Sequence, residues 1–323
     1  MNERKLMETS PITIGVSACL LGQKVRYDGG HKHNRYLTDV LADYFTLVEV
    51  CPEAEVGMGI PRETVRLEGD LDSPRMVAPR SGKDWTAKMN AYSRKRSREL
   101  GAEDFSGFVF KKNSPSCGLF RVSVMQENGQ PLAKGRGLFA AEFTRRFPLV
   151  PCEEEGRLHD PRLRENFIER VFAFHRVKAV FDGRWKRGDV VAFHSREKYF
   201  LLAHSPKHYK SLGQLVAAIA QHQPAEFREK YLEQYMEALA VKATPSRHVN
   251  AMQHIAGHLR DEIGPEELER IHQLIQDYRA GLLPLVVPVT LLRHYIELLE
   301  LPYVKDQVYL NPHPKELMLR NHV

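Results

Sequence analysis

An α/β amino-terminal half built on a largely parallel sheet flanked by helices (Rossmann-like), followed by an all-α carboxyl-terminal domain, is the fold class that this sequence predicts. Three observations predict it. Up to about residue 150, short apolar runs alternate with stretches of helical character; three of those runs are each followed by a cysteine; and beyond Pro161 the strand-like runs stop while helix-start signals recur. A chain of 323 residues, 42% apolar and 27% charged, has globular composition and the length of about two domains.

The elements follow in chain order. Ile12–Val16, Phe45–Val50 and Phe105–Phe110 read as buried strands, with His33–Tyr44 and Asp84–Leu100 as helices that cross between them. Val122–Met125 reads as a strand entering a turn at Glu127–Gln130, Gly135–Phe147 as loop then helix, and Pro148–Pro151 as a short extended closing segment. From Pro161 the helices are punctuated at Asp182-Gly183, Ser205-Pro206, Gln223-Pro224, Thr244-Pro245, Gly264-Pro265 and Gly281 to Pro284. Thr244 offers a capping hydroxyl before a proline at the first helical position, and Glu266 and Glu267 place acids in the first turn of the next helix. The acidic run Glu153-Glu154-Glu155-Gly156 is the expected boundary, giving domains 1–155 and 156–323.

Composition narrows the function classes. No run approaches the roughly 18 to 20 apolar residues that cross a bilayer, and the polar start Met1–Lys5 lacks the apolar core of a signal peptide, so a cytoplasmic protein without membrane contact is expected. Four cysteines in so long a chain make no disulfide framework. With 47 Lys and Arg against 41 Asp and Glu, a nucleic-acid surface would have to come from local clusters of charge. Nothing in the sequence calls for an obligate protein partner.

Cys19, Cys51 and Cys117 each lie just past one of the three buried strands. If those strands are parallel neighbours, their carboxyl ends share the edge where open α/β sheets bind ligands. Three thiolates are one short of a closed four-cysteine site, so a metal or iron–sulfur cluster held there keeps one position open for chemistry. A closed zinc site completed by His31 or His33 would remove that opening. Cys152, between Pro151 and the acidic run, is read as structural or exposed.

The cysteine contexts form a set in fixed order: Ser17-Ala18-Cys19-Leu20-Leu21-Gly22, Val25-Arg26-Tyr27-Asp28-Gly29-Gly30, Cys51-Pro52-Glu53 and Asn113-Ser114-Pro115-Ser116-Cys117-Gly118. This set resembles the thiouracil desulfidase family over roughly residues 11 to 150. The second half, with Phe193-His194-Ser195-Arg196-Glu197-Lys198-Tyr199 and Arg247-His248-Val249-Asn250, resembles the helical domain fused to this family in bacterial transfer-RNA 4-thiouridine desulfidases. The resemblance implies a 4Fe-4S cluster held by Cys19, Cys51 and Cys117, and a non-redox removal of sulfur from 4-thiouridine in tRNA. Glu53 is the implied general base, with Glu49 and Asp28 as competitors, and Ser114 the implied hydrogen-bonding or proton-relaying hydroxyl.

Arg26, Tyr27, Asp28, Lys111, Lys112 and Asn113 are the expected substrate contacts, since they flank the cysteines at the ligand edge. Arg184, Lys186, Arg187, Lys198, His204, Lys207, Lys210, Arg247 and His248 are the expected RNA contacts, because cations mixed with aromatics suit phosphates and unpaired bases. Periodicity places Tyr199, Phe200, Leu201 and Leu202 in the core. His254 and His258 have helical spacing without the glutamate of a metalloprotease motif, and Arg94 to Arg98 reads as a solvated helical face. Two other functions fit the residues: salvage of free thiouracil or 4-thiouridine monophosphate, and a non-enzymatic cluster- or zinc-containing RNA-binding redox sensor.

Overall fold

In the computed structural model the described residues are 11–322, so the polar start Met1–Lys5 lies outside them. The chain divides into two compact units between His159 and Asp160.

The first unit carries the parallel sheet. Strands β1 (Ile12–Ser17) and β2 (Phe45–Val50) pair in parallel, with Ser17 opposite Val50. Between them the chain forms one π-helical turn, Tyr36–Val40, and one 3-10 turn, Leu41–Asp43, in place of the regular helix expected over 33–44. Leu37 and Leu41 are the residues that this irregular segment buries. Helix α1 (Pro52–Glu55) follows β2 directly.

The chain then leaves the main sheet for β3 (Arg66–Glu68) and β4 (Arg75–Val77), and returns through α2 (Thr86–Leu100) to β5 (Phe105–Phe110). β5 lies parallel to β1 on the side away from β2. Gly15 faces Phe108 across that pair, and a side chain at Gly15 would collide with the Phe108 ring at 2.3 Å. The aromatic cluster of Phe108, Phe110, Phe139 and Phe143 fills the space beside β5.

Strand β6 (Val122–Met125) turns through Gly129, whose positive φ of 78° suits a residue without a side chain, into β7 (Pro131–Gly135). These two join β3 and β4 in a second four-stranded sheet of order β4-β3-β6-β7, over a core of Leu67, Met76, Trp85, Met89, Val122, Val124 and Leu138. Helix α3 (Leu138–Arg146) leads to β8 (Cys152–Glu154), which completes the main sheet in the order β2-β1-β5-β8, parallel at every pairing. The acidic run is therefore not a linker. Glu153 and Glu154 are buried members of a strand, and the units separate only after His159.

The second unit is helical: α4 (Pro161–Val180), α5 (Arg187–His204), α6 (Pro206–Ala217), α7 (Pro224–Ala240), α8 (Pro245–Ala256), α9 (Pro265–Arg279), α10 (Val286–Leu298) and α11 (Pro302–Lys305). Six of these eight helices open on a proline, where the missing N–H costs no hydrogen bond, and all but the one at Pro302 do so at the breaks read from the sequence. The Asp160 side chain accepts from the N–H groups of Arg162 and Leu163, and Thr244 accepts from Arg247 N–H, so both helix starts are capped. Helix α5 packs on α4, α6, α7 and α8, and Tyr199, Phe200, Leu201 and Leu202 near its carboxyl-terminal end are all buried. Among the described residues, no helix is long and apolar enough to cross a membrane.

Candidate active site

The order β2-β1-β5 makes the three strands preceding the cysteines adjacent and parallel, so their carboxyl ends share one edge. Cys51 is the first residue after β2, and its N–H donates to the Glu55 carboxylate at 2.7 Å. Cys19 lies in a 3-10 turn, Ala18–Leu21, which Gly22 closes at a φ of 89°. The Cys19 carbonyl accepts from Lys32 N–H, fastening the following loop to the turn. Cys117 is buried in the loop after β5, and Lys111 N–H donates to Ser17 Oγ, tying the ends of β5 and β1 together.

The three thiols interact electrostatically. Burial pushes Cys19 up to about 11, opposed by Lys111 and reinforced by Cys51. Burial also raises Cys51, and it raises Cys117 most, where charge on Glu53, Cys51 and Cys19 would add to the shift. The unloaded thiols are therefore protonated at neutral pH, and ligation must release those protons. Among the described residues no group of three or more His, Cys, Asp or Glu is arranged around a single ion. His33 Nε2 is hydrogen-bonded to Thr38 Oγ1 at 2.9 Å, and His31 Nδ1 accepts from His33 N–H.

Glu53, in the first turn of α1, is the carboxylate among the three candidates that reaches the Cys117 loop. Its Oε1 accepts from Ser116 Oγ at 2.7 Å and from Ser114 Oγ at 3.3 Å. Its Oε2 accepts from Arg62 Nε at 3.1 Å and Nη2 at 2.6 Å. Ser116 Oγ also lies 3.7 Å from Cys117 Sγ. Ser114 acts twice, since its Oγ accepts from Cys117 N–H at 3.1 Å while bonding to Glu53. Glu49, in β2, is exposed, and Asp28 is occupied by Gly30 N–H and Arg26. Hydrogen bonding from Gly30 N–H, opposed by slight desolvation, holds the Asp28 carboxyl below its usual range.

Arg62 and Ser116 were not singled out from the sequence. Ser116 was visible inside its motif, whereas Arg62 follows a cis Ile60–Pro61 bond in a segment without a strand or helix pattern. The Arg62 guanidinium also donates to the carbonyls of Val25 at 2.9 Å and Gly59 at 3.1 Å, and Cys51 Sγ points at the same Val25 carbonyl at 3.9 Å. One side chain thus joins the loop after Cys19, the helix after Cys51 and the carboxylate. With the Arg62 side chain 5% exposed and Glu53 14% exposed, Arg62→Ala is expected to cost about 3–5 kcal/mol, the penalty for stranding one member of a buried pair. Arg62→Lys should recover only part, because an ammonium lacks the planar fork. Denaturant unfolding checks this; an unchanged midpoint for Arg62→Ala would contradict it.

The Cys117 loop is rigidly seated. The N–H groups at the start of α3 donate to it, Leu138 to the Pro115 carbonyl and Phe139 to that of Ser116. A side chain at Gly137 would meet the Ser116 carbonyl at 2.5 Å, and one at Gly118 would meet Val122 at 2.3 Å. Glu154 accepts from the N–H groups of Leu119 and Phe120, and Glu155 pairs with Lys111 Nζ at 2.6 Å and accepts from Lys112 N–H. The acidic run thus braces the cysteine loop. Cys152 sits within β8 opposite Phe108, two residues before the end of β5, with its Sγ 3.4 Å from the Val150 carbonyl.

The expected substrate contacts differ in availability. Arg26 stacks 5.3 Å from the Tyr27 ring, Tyr27 is 43% exposed, and the Tyr27 carbonyl accepts from Arg62 N–H. Lys111 is held by Glu155, whereas Lys112 and Asn113 are exposed, Asn113 with a φ of 58°. An open groove of about 540 Å³ runs along Pro61, Arg62, Glu63, Thr64 and Arg80.

In the helical unit, Arg184, Lys186, Arg187, Lys207 and Lys210 are exposed. His204 and His248 are not available to RNA. His204 is buried, with Nδ1 donating to the Val241 carbonyl at 2.8 Å and Nε2 3.4 Å from Glu169. His248 is also buried, with Nδ1 3.1 Å from Tyr309 OH, and burial, aided by Arg320, lowers it to about 3. Arg247 spends its guanidinium on the carbonyls of His204 and Lys242. These three are packing residues, each with polar contacts made inside the fold.

Comparison with known proteins agrees with this geometry. Residues 14–155 match the family described as 2-thiouracil desulfurase, and residues 198–314 match one described as a protein of unknown function, DUF1722. The chain is 31% identical over 161 residues to the uncharacterized protein YbgA of Escherichia coli (strain K12), covering 50% of this chain and 95% of that protein. It is 34% identical over 115 residues to the uncharacterized protein YbbK of Bacillus subtilis (strain 168), covering 32% of this chain and 71% of that protein. A solved structure titled as the 4Fe-4S-dependent thiouracil desulfidase TudS is 30% identical, with a TM-score of 0.39, covering 46% of this chain and 94% of that one. The site and fold define a cysteine-lined α/β unit joined to a helical one. The chain belongs to the 2-thiouracil desulfurase family through its first unit, with a DUF1722 region in its second.

Proposed function

We propose that this chain is an iron–sulfur-dependent, non-redox desulfidase that converts 4-thiouridine in tRNA to uridine and hydrosulfide. The observation that carries the reading is the meeting of three cysteine-bearing strand ends with the Glu53–Ser114–Ser116 hydrogen-bond network. Cys19, Cys51 and Cys117 would hold a 4Fe-4S cluster, since thiolates are soft donors and the fourth cysteine lies elsewhere in the sheet. When bound, that group supplies a Lewis-acid iron with affinity for a thione sulfur.

The remaining work belongs to side chains. Glu53 Oε1 takes a proton from water as the water oxygen attacks the ring carbon that bears sulfur. Arg62 fixes Oε2, so the carboxylate presents Oε1 toward the serines. Ser114 and Ser116 hold that oxygen and can pass its proton onward. The carbon–sulfur bond breaks as the water oxygen becomes the carbonyl oxygen, the second water proton passes to sulfur, and hydrosulfide carries away the electron pair. No electron donor or acceptor is consumed.

The RNA half of the reading is supported by the exposed cations Arg184, Lys186, Arg187, Lys207 and Lys210. A second reading, salvage of free thiouracil or 4-thiouridine monophosphate, is favoured by the matched family's description. Steady-state kinetics on the anaerobically loaded full chain separates them. The tRNA reading predicts a higher kcat/KM for thiolated tRNA than for either small substrate, with a KM that rises with salt. A higher kcat/KM on thiouracil or the monophosphate would favour the second.

A further inference from the structure

Lys198 of α5 lies in an unusual setting. Its Nζ has no carboxylate partner among the described residues; it donates to Tyr303 OH at 2.6 Å and lies 5.0 Å from the Tyr303 ring centre and 4.9 Å from that of Tyr199. His258 joins the group through Nε2, 2.8 Å from Tyr199 OH, with its ring 5.4 Å from that of Tyr303. The ring of His254 lies nearly parallel to Tyr199 at 6.4 Å. Tyr199 is buried and forms the floor, whereas Tyr303 is 50% exposed and both histidines are exposed.

The arrangement is ordered before any ligand arrives. Buried Gln307 donates Nε2 to the carbonyls of Ser195 and Tyr303, which clamps the α11 segment onto α5. The site therefore offers an open ring face, a cation without an acidic neighbour and two imidazoles in one rigid patch. That is the chemistry of an unpaired nucleotide, whose base stacks on an aromatic face while its phosphate takes a cation.

We propose that Lys198, Tyr303, His254 and His258 form a binding site for an unpaired RNA nucleotide, its base stacked on Tyr303 and its phosphate held by Lys198 and the histidines. The site deepens the RNA reading above and rests on it.

Fluorescence anisotropy with the full chain tests it, using a fluorescein-labelled single-stranded RNA oligonucleotide and a duplex of the same length. Tyr303→Ala is expected to weaken single-strand binding by roughly 5- to 150-fold. Tyr303→Phe should keep most of the affinity, since the ring face remains. Lys198→Gln should reduce the slope of log affinity against log salt by about 0.7. Arg228→Ala, which removes an exposed cation on α7, should change neither. Unaltered single-strand affinity in both Tyr303→Ala and Lys198→Gln, in a chain that binds RNA, would overturn this site alone. No RNA binding by the unaltered chain would overturn the RNA reading and the site with it.

Discussion

Cys117→Ser is expected to abolish both cluster loading and desulfidation. Cys117 is the most enclosed of the three thiols, 5% exposed, and its loop is fixed by Ser114 Oγ, the start of α3 and Glu154. A serine oxygen is a hard donor in a position that cannot shift, so it replaces the thiolate poorly toward iron and sulfide. Iron and acid-labile sulfide measured after anaerobic reconstitution should fall to near background, whereas Cys152→Ser, at the start of β8, should load like the unaltered chain. Full loading of Cys117→Ser, with turnover intact, would remove Cys117 from the ligand set.

Glu53→Gln is expected to leave loading intact and reduce kcat by about 10²–10⁴-fold, the usual contribution of a general base. The amide oxygen can still accept from Ser116, but it cannot take a proton from water. It also leaves Arg62 without a carboxylate, so the fold is checked by thermal unfolding and the cluster by its visible absorbance. The loss should fall on kcat more than on KM, because the interaction is made in the transition state. Unchanged turnover in a fully loaded Glu53→Gln variant would remove Glu53 as the general base.

The contrast between what the sequence discloses and what it hides is physical. Strand β5, buried along its whole length, announces itself as an apolar run, and the six-residue β1 and β2 carry enough β-branched and apolar residues to register, so the edge at which the cysteines meet was legible. Proline and capping residues marked the helix starts of the second unit for the same reason, since each acts through its nearest neighbours in sequence. Strands β3 and β4 are three residues long, with Leu67 between Arg66 and Glu68 and with Met76 and Val77 after Arg75, too short for any period to register.

Long-range pairing was the other hidden layer. Glu153 and Glu154 look like a solvated run because the sequence does not show Arg157 or the N–H groups of Leu119 and Phe120 that receive them. His204, Arg247 and His248 look like an RNA face because their partners Val241, Glu169, Tyr309 and backbone carbonyls come from other segments. Arg62 was missed likewise, since its importance lies in contacts to Val25, Glu53 and Gly59 that no local pattern encodes. Cysteines carry their chemistry on their face, whereas a charged residue declares its role only through what it touches.

The most direct test of the central claim, that the three cysteines and Glu53 serve one hydrolytic site, is a single-turnover reaction in oxygen-18 water. The anaerobically loaded full chain is mixed with 4-thiouridine tRNA without any reductant. Loss of the thione absorbance, one hydrosulfide per uridine and oxygen-18 in the new carbonyl are the predicted result. Persistence of the thione in fully loaded protein, or turnover that requires an added electron donor, would contradict the account.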